Sequence, residues 1–247
     1  MELSRIPVLI LAGGRGTRLS AVTEVPKPLI PVAGRPFVTY LLADLHQQGF
    51  RRIFLLTGYR ADDFEQALRH PTSAAFPACL GELDIRFLVE ATPLGTGGAL
   101  RQALPHVATQ ALVMNGDSYC EMDYLGLFTR LKAQSAALCL TAVCVEDVRD
   151  YGCLSLGEGD RLEGFEEKPA SGRGWINAGI YGMTRRFLEH AIPPGPSSLE
   201  REILPDWITK EATPVRRASG FFRDIGTPER LQQAEVEFPP PNLLWLE

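Results

Sequence analysis

Short apolar, β-rich runs recur along the first part of the chain: Pro7 to Leu11, Ile53 to Leu56, Ile85 to Val89, Ala111 to Met114 and Ala137 to Val145. Their length and composition read as buried strands. Helical patterns intervene. Phe37 to Gln48 sets Val38, Leu41, Leu42 and Leu45 on one face, Ala61 to Arg69 and Thr96 to Leu104 follow the next two strands, and Tyr124 to Ala133 follows the fourth. This alternation predicts βαβ units and an α/β fold with a largely parallel sheet flanked by helices. After Val145 the rhythm changes to shorter strand candidates, Gly152 to Leu156, Leu162 to Glu166 and Ile176 to Tyr181, with no second independent core expected. Ser197-Ser-Leu-Glu200 reads as a capping box opening a helix, and Thr227-Pro228 as an N-cap with proline at the first helical position. The prolines at 239–241 end the last helix, leaving a tail that either dangles or docks through Trp245.

Composition narrows the class. A chain of 247 residues with 45% hydrophobic content can bury one substantial core, and no Pro-, Ser- or charge-rich linker divides it. One domain over 1–238 is expected, with 239–247 as a proline-rich tail. The net charge is −5 and the basic residues are dispersed, so a nucleic-acid partner is not expected. The run Ile6 to Ala12 is too short to span a bilayer and lacks the features of an export signal, so no membrane partner is expected either. The 5 cysteines form no Cys-x-x-Cys pair and the 4 histidines are scattered, which points to reduced core thiols, a cytoplasmic location and no zinc site.

The chemistry concentrates in Leu11-Ala-Gly-Gly-Arg-Gly-Thr-Arg-Leu19, directly after the first strand, and in Pro26-Lys-Pro-Leu29. Gly13, Gly14 and Gly16 allow a tight turn and close approach of backbone N–H groups to an anion, while Arg15, Arg18 and Lys27 add positive charge. A P-loop would need a Gly-Lys pair, and the dinucleotide fingerprint would need glycine where Leu19 stands. Neither fits. An ordinary strand-to-helix turn explains the glycines but not the arginines and the proline-flanked lysine.

This segment resembles the signature of the sugar-1-phosphate nucleotidyltransferases, also called nucleoside-diphosphate-sugar pyrophosphorylases. Further motifs in the same order carry the resemblance along nearly the whole chain: Pro93-Leu-Gly-Thr-Gly-Gly-Ala99, Asn115-Gly-Asp117, Phe165-Glu-Glu-Lys-Pro169, Asn177-Ala-Gly-Ile-Tyr181 and Asp224-Ile-Gly-Thr-Pro228. The wording of the second and last motifs is nearest the subgroup acting on D-glycero-D-manno-heptose 1-phosphate with GTP. The resemblance implies a Rossmann-like, glycosyltransferase-A-like sheet, with a nucleotide-binding half near 1–120 and a smaller sugar-phosphate-binding part over 121–238. Nothing in the chain resembles the hexapeptide repeats of longer relatives, so acyl transfer is not expected.

The same resemblance assigns roles. The substrates are a nucleoside triphosphate and a sugar 1-phosphate, and the cofactor is Mg²⁺ held by Asp117 and Asp224. Arg18 and Lys27 would grip the triphosphate. Leu11, Ala12, Gly13, Gly14, Arg15, Gly16 and Thr17 would line the nucleotide, with Glu90, Gly95 and Thr96 at the base. Gly152, Glu167, Lys168, Asn177, Ala178 and Gly179 would meet the sugar phosphate. A carboxylate at Glu90 could accept from the two adjacent donors of guanine, although uridylyltransferases can also carry an acidic residue there. Each residue also has an ordinary structural reading: Asn-Gly-Asp as a turn, Asp224 as a surface carboxylate, Glu166-Glu-Lys as a charged strand end. A uridylyltransferase, and a silent nucleotide-sugar-binding subunit, are the alternatives. Retention of Arg18, Lys27, Asp117 and Asp224 together argues against the silent form.

Overall fold

The computed structural model describes residues 2–14, 16, 19, 23–69, 77–149, 151–166, 172–240 and 242–243. In chain order its elements are β1 (Pro7–Leu11), β2 (Pro31–Val32), β3 (Arg35–Pro36), α1 (Phe37–Gln47), β4 (Arg52–Thr57), α2 (Ala61–Arg69), β5 (Asp84–Val89), α3 (Gly95–Ala103), β6 (Gln110–Asn115), β7 (Ser118–Cys120), α4 (Tyr124–Ala133), β8 (Leu138–Val145), β9 (Cys153–Leu156), β10 (Leu162–Glu166), β11 (Gly174–Thr184), α5 (Arg185–His190), α6 (Leu204–Ile208), β12 (Val215–Ala218), β13 (Phe222–Asp224) and α7 (Pro228–Glu237). The strands and helices read from periodicity are present, with small shifts at their ends. β11 runs on to Thr184 rather than stopping at Tyr181.

The chain packs as two compact units that interleave in sequence. Met1–Pro93, Met114–Glu121 and Phe221–Glu247 form the first; Leu94–Val113 and Met122–Gly220 form the second. In the first, β1, β4 and β5 run parallel, with Leu9 opposite Phe54 and Ile53 opposite Ile85. β1 and β4 are almost wholly buried, the pattern of parallel strands covered on both faces. α1 buries an unbroken run from Phe37 to Leu45, including Asp44, whose carboxylate accepts from Gln48 and Asn242 at 3.1 Å each. β7 and β13 pair antiparallel, with Asp224 opposite Ser118.

In the second unit the sheet is mixed. β8 pairs antiparallel with β11 and parallel with β12, and β9 pairs antiparallel with both β10 and β11. The change of rhythm after Val145 therefore marks where antiparallel pairing takes over. β11 carries a bulge: Asn177 lies opposite Ala142 and Tyr181 opposite Leu140, so Ala178, Gly179 and Ile180 face Thr141 alone. Gly179 has φ +72°, a conformation that glycine adopts without strain.

Two helix-start readings fare differently. Thr227 caps α7 through Arg230 N, with Pro228 at the first position, as expected. The capping box at Ser197 and Glu200 is displaced by one residue: Ser198 caps a helical segment over Leu199–Ile203, which runs on into α6, by accepting from Arg201 N, and its own N–H donates to Glu202 at 2.9 Å. Ser197 instead pairs through its backbone with the start of α3, its N–H donating to the Leu94 carbonyl and its carbonyl accepting from Gly97 N, both at 2.9 Å. Its backbone is committed before the helix begins.

All five cysteines are free. Burial pushes the thiols of Cys120 and Cys139 up to about 12, which keeps them protonated and unreactive. The segment after α7 docks: Leu243 is fully buried and Asn242 accepts from Tyr119 at 2.9 Å, while Trp245 lies outside the described residues. Phe238 packs among Phe37, Tyr40, Tyr119 and Phe221, with ring centroids 4.8–5.8 Å away. Phe238→Ala is expected to lower unfolding stability by about 3–5 kcal/mol. Urea unfolding monitored by tryptophan fluorescence measures it; a loss below about 1 kcal/mol would mean that this ring is not part of the core.

Candidate active site

In the first unit, three parallel strands end side by side, the position where open α/β sheets bind ligands. The chain leaves β1 through Ala12, whose N–H donates to the Leu56 carbonyl of β4 at 2.9 Å. Glu90, just past β5, donates its N–H to Thr57 at 2.8 Å. Its carboxylate lies over the start of the glycine loop: a Cβ built on Gly13 would stand 3.2 Å from Glu90 Oε1, and one on Gly58 would stand 3.5 Å from Oε2. The backbone at 13 and 58 is bare where the Glu90 carboxylate comes closest.

Gly16 has φ +60°, and the Lys27 stem lies across it, with Cγ 3.1 Å from where a Cβ would be. Lys27 opens a short helical turn, Lys27–Leu29, between two prolines, and Pro28 and Leu29 are buried. This anchors the residue while its ammonium reaches Asp117 Oδ2 at 2.8 Å. Both side chains keep some access to solvent, 20% and 29%. Asp117 follows β6 through Gly116, whose N–H donates to the Leu11 carbonyl at 2.9 Å. That bond ties the Asn-Gly-Asp turn to the end of β1.

Asp224 closes the set. The Ile225 N–H donates to the Asp117 carbonyl at 3.0 Å, so the turn carrying Asp117, just before β7, lies beside the end of β13 that carries Asp224, although more than a hundred positions separate them. Asp224 is buried, and its Oδ1 accepts from Gly226 N and from Arg230 Nη1, each at 2.9 Å. Two aspartates on neighbouring backbone segments supply carboxylate oxygens, the hard donors that Mg²⁺ prefers, and residues of this type fit that ion. Among the described residues there is no group of three or more His, Cys, Asp or Glu able to hold a metal.

The second unit holds the other expected positions. Gly95, with φ +69°, opens α3, and its missing Cβ would stand 2.5 Å from the Ser197 carbonyl oxygen. Gly97 and Gly98 are equally tight against Ser197 and Gly195, so this glycine cluster lets the first turn of α3 pack on the 195–197 backbone. Thr96 donates to Glu200 Oε2 and accepts from Leu199 N, both at 2.8 Å. Asn177 accepts from Gly179 N at 3.0 Å and donates to Tyr181 at 2.6 Å, its amide bridging the bulge that contains Ala178. Burial pushes the Tyr181 hydroxyl well above its usual range, and the Glu200 carboxylate acts in the same direction. Gly152 stands in open space, as does Gly14 in the first unit. Arg15, Thr17, Arg18, Glu167 and Lys168 lie outside the described residues.

Three residues here escaped the sequence reading. Glu200 was assigned to a cap but serves Thr96. Tyr181, inside the Asn-Ala-Gly-Ile-Tyr motif, is the partner of Asn177. Arg230 pairs with Asp224, and its only sequence signal was a basic residue in a helix first turn, where acidic ones are favoured.

The family model described as nucleotidyl transferase matches residues 7–239. The chain is similar to the D-glycero-alpha-D-manno-heptose 1-phosphate guanylyltransferase of Campylobacter jejuni, at 32% identity over 222 residues, covering 90% of this chain and 95% of that protein. It is also similar to the mannose-1-phosphate guanylyltransferase of Mycobacterium tuberculosis, at 33% identity over 93% of this chain, of which it spans 63%. Among solved structures, HddC from Yersinia pseudotuberculosis complexed with GMP-PN matches at a TM-score of 0.82 and 33% identity, covering 94% of this chain and 99% of that one.

The close approach at Gly116 gives a test of the geometry. A Cβ there would meet the Leu11 carbonyl oxygen and Pro28 Cγ, both at 2.9 Å. Gly116→Ala is expected to cost about 1–3 kcal/mol of stability by overpacking. Thermal unfolding of the variant against the parent measures it, and an unchanged midpoint would show that β1 and the Lys27 turn give way without strain.

Proposed function

The chain belongs to the nucleotidyl transferase family, and we propose that it joins a manno-configured sugar 1-phosphate to GMP drawn from GTP, releasing pyrophosphate, with D-glycero-α-D-manno-heptose 1-phosphate as the sugar substrate. The observation that carries this reading is the convergence of Gly13, Gly16, Lys27, Asp117 and Asp224 in one compact unit. An oxygen of the sugar phosphate attacks the α-phosphorus of the triphosphate, a new P–O bond forms, and the bond to the bridging oxygen breaks as pyrophosphate leaves. Both reactants are anions, so the protein's work is to neutralise charge and hold the groups in line.

Lys27 is the charge stabiliser at the α-phosphate. Its proline-flanked turn fixes the stem, and its ammonium exchanges the Asp117 carboxylate for phosphate oxygens. Backbone N–H groups of the glycine loop cradle the remaining phosphates, and the family resemblance assigns Arg15, Thr17 and Arg18 to the nucleotide as well. Asp117 and Asp224 would hold Mg²⁺, which when bound neutralises charge on the phosphate oxygens. Glu90 accepts from the two edge donors of guanine; the family resemblance alone assigns Gly95 to the base and Thr96 to the nucleotide. Asn177, Ala178 and Gly179 take sugar hydroxyls, with Gly152, Glu167 and Lys168 completing that subsite. Among the described residues no helix is long and apolar enough to cross a membrane; the five free cysteines support a cytoplasmic setting.

Mannose 1-phosphate is the second reading, favoured by the 33% identity to the mycobacterial mannose enzyme. The two sugars share the manno ring and differ in the extra carbon. Pyrophosphate release with each sugar 1-phosphate, GTP and Mg²⁺ separates them, with the heptose expected to give the higher kcat/KM. Release with UTP in place of GTP would move the chain to the uridylyltransferases.

Two substitutions test the roles. Lys27→Ala is expected to lower kcat by roughly two to four orders of magnitude, the scale of losing about 3 kcal/mol or more of transition-state charge stabilisation. A change confined to KM would instead mean uniform binding. Glu90→Gln is expected to lower the GTP/UTP ratio of kcat/KM by about ten- to a hundred-fold, because its amide places a donor against a guanine donor. An unchanged ratio would remove Glu90 from base selection.

A further inference from the structure

Arg230 is the third residue of α7, inside its first turn, with its N–H donated to the Thr227 cap. The positive end of a helix dipole disfavours a cation there, and burying a cation adds a desolvation penalty. The guanidinium is nevertheless only 11% exposed and donates to Asp224 Oδ1 at 2.9 Å. That same oxygen accepts from Gly226 N. With Oδ1 engaged by two donors, Asp224 can offer an incoming cation at most one oxygen.

The neighbouring carboxylate is matched in the same way. Lys27 stands 2.8 Å from Asp117 Oδ2, and the Ser118 hydroxyl lies 3.4 Å from Oδ1. Among the described residues each carboxylate thus has a cationic partner. A hard divalent ion draws its affinity from anionic oxygens in excess, and here Lys27 and Arg230 reduce that excess.

The two cations differ in how firmly they are held. Lys27 is a point charge on a flexible stem and can move to phosphate oxygens when a triphosphate arrives, which releases Asp117. Arg230 is a planar fork rooted in a helix, its side chain nearly buried against its partner, and it has no comparable reason to leave.

We propose that Arg230 is a positioning residue that keeps Asp224 charge-balanced, so that the site takes up a divalent cation together with the nucleoside triphosphate and not on its own. This rests on the metal-holding role given above to Asp117 and Asp224.

The test is Mn²⁺ binding followed by electron paramagnetic resonance, with and without a non-hydrolysable GTP analogue, corrected for Mn²⁺ held by free nucleotide. The parent protein is expected to bind Mn²⁺ at least roughly tenfold more tightly with the analogue present, the excess of negative charge being restored by phosphate oxygens. Arg230→Gln is expected to tighten binding to the nucleotide-free protein by about fivefold or more, whereas Arg230→Lys, which keeps the charge, stays near the parent. An unchanged affinity in a folded Arg230→Gln protein overturns the proposal, as does equal tightening in Arg230→Lys. Should Arg230→Gln fail to fold, a parent ratio near one overturns it independently. Absence of Mn²⁺ binding even with the analogue would instead overturn the metal reading of Asp117 and Asp224 themselves.

Discussion

Two carboxylates on hydrogen-bonded backbone segments repel each other, and a site built to receive a triphosphate would add more negative charge still. In the first unit this constraint is met by bringing one cation to each aspartate from a different part of the chain. Lys27 comes from the turn after the glycine loop and Arg230 from the first turn of α7. The backbone bond from Ile225 to Asp117 then ties the turn that carries one acid to the end of the strand that carries the other. The unpaired alternatives are far less stable, because a partly buried carboxylate left without its partner bears a desolvation penalty of several kcal/mol or so. Charge balance therefore determines which segments meet.

The end of the chain reinforces that meeting. Tyr119 lies on β7, two positions after Asp117, and its hydroxyl donates to Asn242. Asn242 in turn donates to Asp44, a carboxylate buried on α1. Phe238 fills the space between, touching Phe37 and Tyr40 on one side and Tyr119 and Phe221 on the other. One short C-terminal segment thus links α1 to β7 and β13 by an apolar plug and a polar relay. Burial raises the Tyr119 hydroxyl far above its ordinary range, with the Asp44 charge adding to the shift, so it remains a hydrogen-bond donor at any working pH.

What could be read from the sequence was local. Strand and helix identity depends on apolar periodicity within a few residues, and the glycine loop announced itself by composition beside a strand. The pairing of Asp117 with Lys27 was not visible, because it depends on Gly116 approaching Leu11, a close contact between segments far apart in sequence. Arg230 could not be paired with Asp224 without knowing how β13 turns into α7. Glu200 was misread for a physical reason: a serine three residues before a glutamate is a good capping signal, but Ser197 was already committed to the Leu94 and Gly97 backbone, and the cap passed to Ser198. The β11 bulge is likewise a matter of register, set by what β8 presents and not by residues 177–181 alone.

The bulge shows how a structural and a recognition role can belong to one motif. Gly179 permits the positive φ, and the Asn177 amide stabilises the distortion by accepting from Gly179 N and donating to Tyr181. An amide carries two donor hydrogens and two acceptor lone pairs. With one of each engaged in these two bonds, one donor and one acceptor are left over in the side chain's inventory. A sugar hydroxyl is itself both donor and acceptor, so it can satisfy both at once, and an orientation already fixed by the bulge reduces the ordering cost of doing so. A free-swinging asparagine on a regular strand would offer the same atoms with less preorganisation. The two bonds that hold Asn177 still support its proposed sugar contact as much as the atoms it presents do.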